Sequence, residues 1–423
     1  METTSPQLNW SSTKKITFRL IFLYFSLFII LKNNGAYPFM QLIMSKPKEW
    51  LYQFIPWFGE QFLNISDPIR VGPNGSGDTT YDYVLIFACF VFSFLGTIIW
   101  TFLDRKRKNY SKLYYWFTVA VRFYVGLMLI NYGLIKVVKL QFSYPSFNRL
   151  LQTFGDASPM GLAWTFLGFS KGYNLFMGIA EVLAGLLLFR RTLTFGAIIT
   201  LMTTMNVMAV NYFYDVPVKI LSTHLVLLTL VLLSRNIQQL MLFFFTNKSV
   251  QLSVIKRPSF NIKKMNIGLN VFKFLLLGFV VVSSINNINR SSKLYGDNIP
   301  KPPMYGLYKV SDISENIDFN GEYQSIYKEW KYIGIENEGY IQIYKKDKEI
   351  EYYKLGIDTL KKSIKLLKYN DSTVMGSLSY SKKGNLTIFK TDRFTLETKK
   401  LTKDDFLLTN RGFNWINEYP LNR

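Results

Sequence analysis

Long apolar runs fill the first two thirds of the chain, and short alternating runs fill the rest. Seven apolar runs are candidate membrane spans, because crossing the hydrocarbon core takes about 20 helical residues. They cover residues 16–31, 83–103, 113–135, 173–189, 192–214, 216–233 and 267–282. A soluble helical bundle is the alternative, but seven such runs rarely coincide in a soluble chain. The pattern therefore predicts an α-helical transmembrane domain over residues 1–285.

The pattern changes after residue 285. Residues 286–303 contain several prolines, which is typical of a stiff extended linker. In residues 304–423, turn residues separate short runs of alternating polarity, such as 340–344, 373–380 and 386–389. This spacing predicts a mostly-β domain, either a small antiparallel barrel or a sandwich. We also expect a helix at residues 357–367 and a closing strand anchored by Phe413 and Trp415.

Charge predicts the orientation of the spans. Of the 50 Lys and Arg residues, 27 lie in residues 1–285, against 10 of the 28 Asp and Glu residues. A basic excess can indicate nucleic acid, but here it lies between apolar runs and therefore indicates membrane topology. Basic segments at 14–19, 104–108, 190–191 and 235–264 place the N-terminus in the cytoplasm. We expect a multi-pass protein of the cytoplasmic (inner) membrane, with its first run an uncleaved anchor and its C-terminal domain extracytoplasmic.

Cysteine and histidine counts exclude several kinds of chemistry. The chain has one cysteine, Cys89, and one histidine, His224. An intrachain disulfide, a thiolate-ligated iron–sulfur cluster, a Cys/His zinc site and a bis-histidine haem are therefore excluded. No self-contained catalytic motif is visible, and we expect no metal site and no nucleic-acid partner.

Charged side chains inside apolar runs need a partner or a function, because a charge in the bilayer is costly. Arg122 and Glu181 each fall near the middle of a predicted span, and adjacent antiparallel spans would bring them together. We therefore predict an Arg122–Glu181 ion pair. Asn211 and His224 are further polar candidates. For His224, two roles stay open: a core histidine hydrogen-bonded between helices, and a proton carrier.

Two spans carry small and charged residues at helical spacing. These are Arg122, Gly126, Gly133 and Lys136 in the third span, and Gly178, Glu181 and Gly185 in the fourth. Each set falls on one narrow helix face. The glycines would let another helix or a flat ligand approach closely. The pattern indicates a polar intramembrane site.

Three segments outside the predicted spans are unusually rich in aromatic residues or in glycine. Residues 36–63 and 141–170 are rich in aromatic residues, which predicts helices at the membrane–water interface. Residues 72–79 form a glycine-rich turn. Such a turn can present N–H groups to an anion, and the alternative is a connector that needs positive φ.

The glycine and charge pattern resembles that of the DoxX-like membrane proteins. It is carried by Arg122-x3-Gly126-x6-Gly133-x2-Lys136, followed by Gly178-x-Ala-Glu181-x3-Gly185. The resemblance covers residues 113–234 and implies a four-helix core inside a longer protein. Some DoxX-like proteins are subunits of quinone-reducing oxidoreductases. The resemblance therefore implies a quinone as a candidate cofactor, with Arg122, Lys136 and Glu181 as its binding residues.

Three classes of function stay open. The first is a quinone- or lipid-binding membrane subunit of an oxidoreductase. The second is a structural or assembly protein that presents its β domain to a membrane or envelope protein. The third is a transporter, which is less favoured because no inverted repeat is visible. In each case the lipid bilayer is the expected partner.

Overall fold

The computed structural model describes residues 9–253, 263–315, 328–368, 373–391 and 394–422. The chain forms two compact units. The helical unit comprises Met1–Phe142 and Ser158–Ser292, and the barrel unit comprises Ser143–Ala157 and Lys293–Arg423. The barrel unit therefore includes a segment that the sequence pattern assigns to the transmembrane domain. We call this segment, Ser143–Ala157, the strap.

The helices account for most of the first 292 residues. They are α1 Ser12–Leu31, α2 Met40–Ile43, α3 Ser45–Leu63, α4 Thr80–Leu103, α5 Ser111–Val137, α6 Phe147–Leu151, α7 Pro159–Phe169, α8 Lys171–Val182, α9 Leu193–Phe213, α10 Lys219–Leu233, α11 Ile237–Thr246 and α12 Lys263–Ser291. A 3-10 segment, Leu183–Leu188, continues α8. Because α12 ends at Ser291, the first six residues of the predicted linker are helical.

Within the described residues, six helical stretches are long and apolar enough to cross a membrane. They are Thr80–Leu103, Ser111–Val137, Lys171–Leu188, Leu193–Phe213, Lys219–Thr246 and Lys264–Ser291. They coincide with six of the seven predicted spans. The remaining run forms α1, and its Lys14, Lys15 and Arg19 make it more polar than the other six.

Helix α5 forms the centre of the helical unit. Val121, Tyr124 and Val125 on this helix are fully enclosed by side chains from α1, α9 and α10. Of its most apolar stretch, 61% is buried, whereas none of the corresponding stretch of α12 is buried. Helix α12 therefore lies at the periphery, and its apolar surface suits contact with lipid.

The glycine-rich turn is a connector that caps a helix. The N–H groups of residues 76–79 all donate within the protein, to Asn74 Oδ1, Pro217 O, Ser76 Oγ and Asp82 Oδ2 respectively. The Asp78 carboxylate accepts from the N–H groups of Lys219 and Ile220, at 2.6 and 2.9 Å. These are donors at the start of α10 that the helix itself cannot satisfy. The connector interpretation of this turn is therefore the one that the contacts support.

Among its described residues, the barrel unit has eight strands in a closed antiparallel barrel, in which each strand pairs with its sequence neighbour and β8 pairs with β1. They are β1 Gly306–Glu315, β2 Trp330–Ile335, β3 Tyr340–Lys345, β4 Ile350–Asp358, β5 Ser363–Lys368, β6 Val374–Lys383, β7 Leu386–Lys390 and β8 Phe394–Leu401. A short helix, α13 Leu407–Asn410, follows. The predicted β domain is confirmed, and it is a barrel.

Two predictions for this unit are wrong. Residues 357–367 are not helical, because β4 ends at Asp358 and β5 begins at Ser363. Ile364 and Leu366 point into the core at the period of two that a strand requires. The tail forms no closing strand, and Phe413 and Trp415 are exposed. The pairing of β8 with β1 already closes the barrel, so no edge is left for another strand.

The strap is built into the barrel unit through Phe147. Its ring is fully buried against Leu307 and Tyr344, and its N–H donates to the Glu336 carboxylate at 3.1 Å. The same carboxylate pairs with Lys403 at 3.1 Å. The predicted interfacial helix at residues 141–170 is therefore replaced, in its first half, by a segment that packs on the barrel.

A second contact holds the other end of the strap. Asp156 pairs with Lys348 at 3.0 Å and also accepts from the Thr153 hydroxyl. The hydrogen bonds from Thr153 and Lys348 lower the pKa of Asp156. Both partners are largely exposed, so this pair orients the strap more than it stabilises it.

We predict that Phe147→Ala destabilises the barrel unit by about 3–5 kcal/mol, because it removes a fully buried ring. Phe154→Ala is the matched control, since Phe154 lies on the same strap and is 79% exposed. Limited proteolysis of the full chain in mild detergent, across a urea series, measures the loss of the barrel fragment. Equal resistance of the two variants would contradict the buried role of the strap.

Candidate functional site

The backbones of α5 and α8 touch at two glycines. A Cβ on Gly133 would lie 2.6 Å from the Gly178 carbonyl oxygen, and a Cβ on Gly178 would lie 2.7 Å from the Gly133 oxygen. Neither position can therefore hold a side chain without moving a helix. Farther along, a Cβ on Gly126 would lie 2.9 Å from the Leu188 side chain, and Gly185 has only ordinary contacts with Ile130. The sequence predicted that another helix or a flat ligand would lie against these glycines, and in the structure a helix lies there.

Lys136 and Glu181 form a buried ion pair beside this contact. The Lys136 Nζ lies 2.8 and 2.7 Å from the two Glu181 carboxylate oxygens, and the two side chains are 8% and 3% exposed. Helical side chains lean towards the N-terminus of their own helix. Because α5 and α8 run antiparallel, the two side chains lean towards each other. The rings of Tyr132 and Phe142 lie 5.7 and 5.9 Å from the ammonium nitrogen.

The predicted Arg122–Glu181 pair is wrong. Arg122 donates from Nε to the Leu187 oxygen at 2.8 Å and from Nη2 to the Leu188 oxygen at 2.6 Å. These carbonyls end the 3-10 segment and have no helical partner of their own. Arg122 therefore caps the far end of the span that carries Glu181, and Lys136 lies opposite the carboxylate in its place.

His224 is hydrogen-bonded between helices. Its Nδ1 lies 2.7 Å from the Ile220 carbonyl oxygen, and its Nε2 lies 2.7 Å from the Tyr24 hydroxyl on α1. A carbonyl only accepts, so Nδ1 carries a hydrogen. The Phe28 ring stacks on the imidazole at 3.9 Å. The core role left open for His224 is the one that these contacts support.

Asn211 is also placed among backbone groups. Its Nδ2 donates to the Val218 carbonyl at 3.4 Å, across the turn between α9 and α10. Asn211 and His224 are thus not brought onto the Lys136–Glu181 pair by any contact in the described residues. The five predicted polar residues form four separate sets of contacts instead of one site.

Two amide oxygens, one on α8 and one just before the strap, are buried without a hydrogen-bond partner among the described residues. Asn174 is two turns before Glu181 on the same face of α8, and its Nδ2 donates to the Leu167 and Ser170 carbonyls at 2.5 and 3.1 Å. Its Oδ1 accepts no hydrogen bond, and neither does Oε1 of Gln141, the neighbour of Phe142. A hydrogen-bond donor on a bound molecule could satisfy either oxygen.

In the sequence, Arg19 served only as a marker of topology, yet this residue connects α1 with α4 and with the start of α5. It donates to the Tyr110 hydroxyl at 2.6 Å, to the Thr101 hydroxyl at 2.8 Å and to the Asp104 carbonyl at 3.1 Å. The last contact caps the end of α4. Its place inside an apolar run was the available signal, because such an arginine has to find acceptors.

The described residues contain no group of three or more His, Cys, Asp or Glu side chains that could hold a metal ion. No family model matches the chain, and no solved structure matches it. Among curated proteins, it is similar to the uncharacterized protein YwoB of Bacillus subtilis (strain 168). The two are 35% identical over 139 residues, which are 32% of this chain and 87% of YwoB. The chain therefore belongs to the same family as YwoB.

Proposed function

We propose that this protein is an integral protein of the cytoplasmic membrane that presents its β-barrel on the extracytoplasmic side and acts by binding a membrane or envelope protein. The main support for this proposal is that the buried charged groups of the helical unit form ion pairs or hydrogen bonds with other groups of the protein. Lys136 pairs with Glu181, Lys32 pairs with Asp82, and Arg19 and Arg122 donate to hydroxyl and carbonyl oxygens. A charge inside the membrane needs such a partner for stability, so these contacts explain the charged groups without a bound substrate.

The barrel supports the same proposal. Its interior is filled by large apolar side chains, among them Ile333, Ile343, Ile364, Phe389 and Leu396, each at most 1% exposed. An eight-stranded barrel packed in this way is a solid core. Recognition by this unit therefore depends on its outer surface and its loops.

A quinone- or lipid-binding subunit, as the resemblance to DoxX-like proteins implies, is the second candidate. The unpartnered oxygens of Gln141 and Asn174 favour it, because the hydroxyl groups of a quinol are donors. The face between Gly133 and Gly178 does not fit a flat ring, since the two backbones touch there. We place this candidate site at the Asn174 oxygen, two turns before Glu181 on α8, and at the oxygen of Gln141, the neighbour of Phe142.

We predict that a cysteine in the barrel is labelled from outside intact cells. Leu360→Cys places a thiol in the β4–β5 turn, where the native side chain is 95% exposed. The only native thiol, Cys89, is buried. A membrane-impermeant maleimide should label Leu360→Cys at once, and the control Lys106→Cys only after permeabilisation. The reverse order would overturn the proposed orientation.

We predict that the single variants Lys136→Met and Glu181→Leu each cost about 3–5 kcal/mol, because each leaves an unpaired buried group. The double variant Lys136→Met/Glu181→Leu should recover most of this loss. Thermal unfolding in mild detergent measures both effects. Asp215→Asn is the control, because Asp215 pairs with Lys219 but is 81% exposed and should change stability by less than about 1 kcal/mol. Additive losses in the double variant would show that the two groups act separately.

We predict that Gln141→Leu separates the two candidate functions. If the site is structural, removing an unsatisfied buried acceptor leaves stability equal or higher. If a quinol binds there, mass spectrometry of extracted small molecules shows a quinone in the wild type and less of it in Gln141→Leu. Gln238→Leu, at an exposed position, is the control. A wild type purified without any quinone would leave the scaffold role as the supported one.

A further inference from the structure

Three positive side chains gather at the end of the α8 span. The Leu188 carbonyl oxygen accepts from Arg122 Nη2 at 2.6 Å and from Lys273 Nζ of α12 at 2.7 Å. The Lys273 ammonium also lies 4.6 Å from the centre of the Phe189 ring. The positive charges of Arg122 and Arg190 both act on Lys273, so the three groups lie within range of mutual repulsion.

Although Arg122 Nε also donates to the Leu187 oxygen, the Leu188 carbonyl cannot satisfy the remaining donors. Its two lone pairs are taken by Arg122 and Lys273. Lys273 keeps two further N–H groups, and the guanidinium of Arg190 is exposed and has no hydrogen-bond or ion-pair partner among the described residues. A carbonyl also carries no charge, so it caps the cations without neutralising them.

The chain supplies no carboxylate for this cluster in the region from α8 to α12. Asp215 is the only acidic residue between Glu181 and Asp297 in the whole sequence. Asp215 is engaged with Lys219, and Glu181 with Lys136. Asp104, nearer the start of α5, accepts from Arg107 and Tyr110. Among the described residues, no ion pair engages Arg122, Arg190 or Lys273, so their charge is available to an anion from outside the chain.

We propose that Lys273 and Arg190, with Arg122 behind them, form a binding site for a phosphate group, and that an anionic phospholipid headgroup is its source. Basic pockets between transmembrane helices bind such headgroups. Here Arg190 follows the α8 span directly, and Arg122 and Lys273 reach the same carbonyl from within α5 and α12. Arginine binds phosphate oxygens in a bidentate manner, and lysine contributes a point charge. Phe189 and the exposed apolar residues of α12 provide the surface along which acyl chains lie.

Thermal unfolding of the purified full chain in an uncharged detergent tests the site. Phosphatidylglycerol, phosphatidylcholine and inorganic phosphate are added separately. A lipid present at roughly one hundred times its dissociation constant should raise the unfolding midpoint of the wild type by about 5 °C. We expect this shift with phosphatidylglycerol and not with phosphatidylcholine. An equal shift with inorganic phosphate would assign the site to a free anion and overturn the lipid source.

Two variants locate the effect. Lys273→Gln and Arg190→Gln should each lose most of the phosphatidylglycerol shift, while Lys106→Gln, an exposed cation in another loop, should keep it. Arg190 is exposed and has no hydrogen bond or ion pair in the described part of the chain, so its variant remains informative even if Lys273→Gln is unstable. The proposal is overturned if phosphatidylglycerol stabilises all four proteins equally or stabilises none of them.

Discussion

The helical unit depends on the contact between the backbones of α5 and α8. Gly133 and Gly178 each leave room for the carbonyl of the other helix, so the two axes come closer than side chains would allow. One turn farther along each helix, this distance places an ammonium against a carboxylate. A buried ion pair is stabilising only with good geometry, because desolvating both charges is costly. The glycines provide that geometry.

The sequence showed which residues matter in this centre, but not how they pair. Arg122 and Lys136 lie on one face of α5, and either could have met Glu181. The choice depends on the axial register of α8 against α5, which residue spacing within one helix does not contain. The change to a 3-10 segment at Leu183 was equally invisible, and it creates the free carbonyls that Arg122 satisfies.

The fold itself was largely predictable, because apolar run length and alternation are local properties. The helices fall where the apolar runs are, and the strands fall where polarity alternates. Closure of the barrel was not predictable, since it depends on β8 meeting β1 across the whole unit. The strap was mistaken for an interfacial helix because an aromatic segment looks the same whether lipid or a protein core covers it.

The strap makes the barrel a discontinuous folding unit. Residues 143–157 are synthesised before α7, and the residues from 158 to 292 follow before the barrel strands begin. While the remaining helices are made, the barrel surface that buries Phe147 does not yet exist, so this ring stays uncovered. Cleavage of the chain near residue 292 would not separate two complete folding units. The C-terminal fragment would lack the strap, and the N-terminal fragment would carry it uncovered. Assembly of the barrel is in this way tied to completion of the helices that precede it.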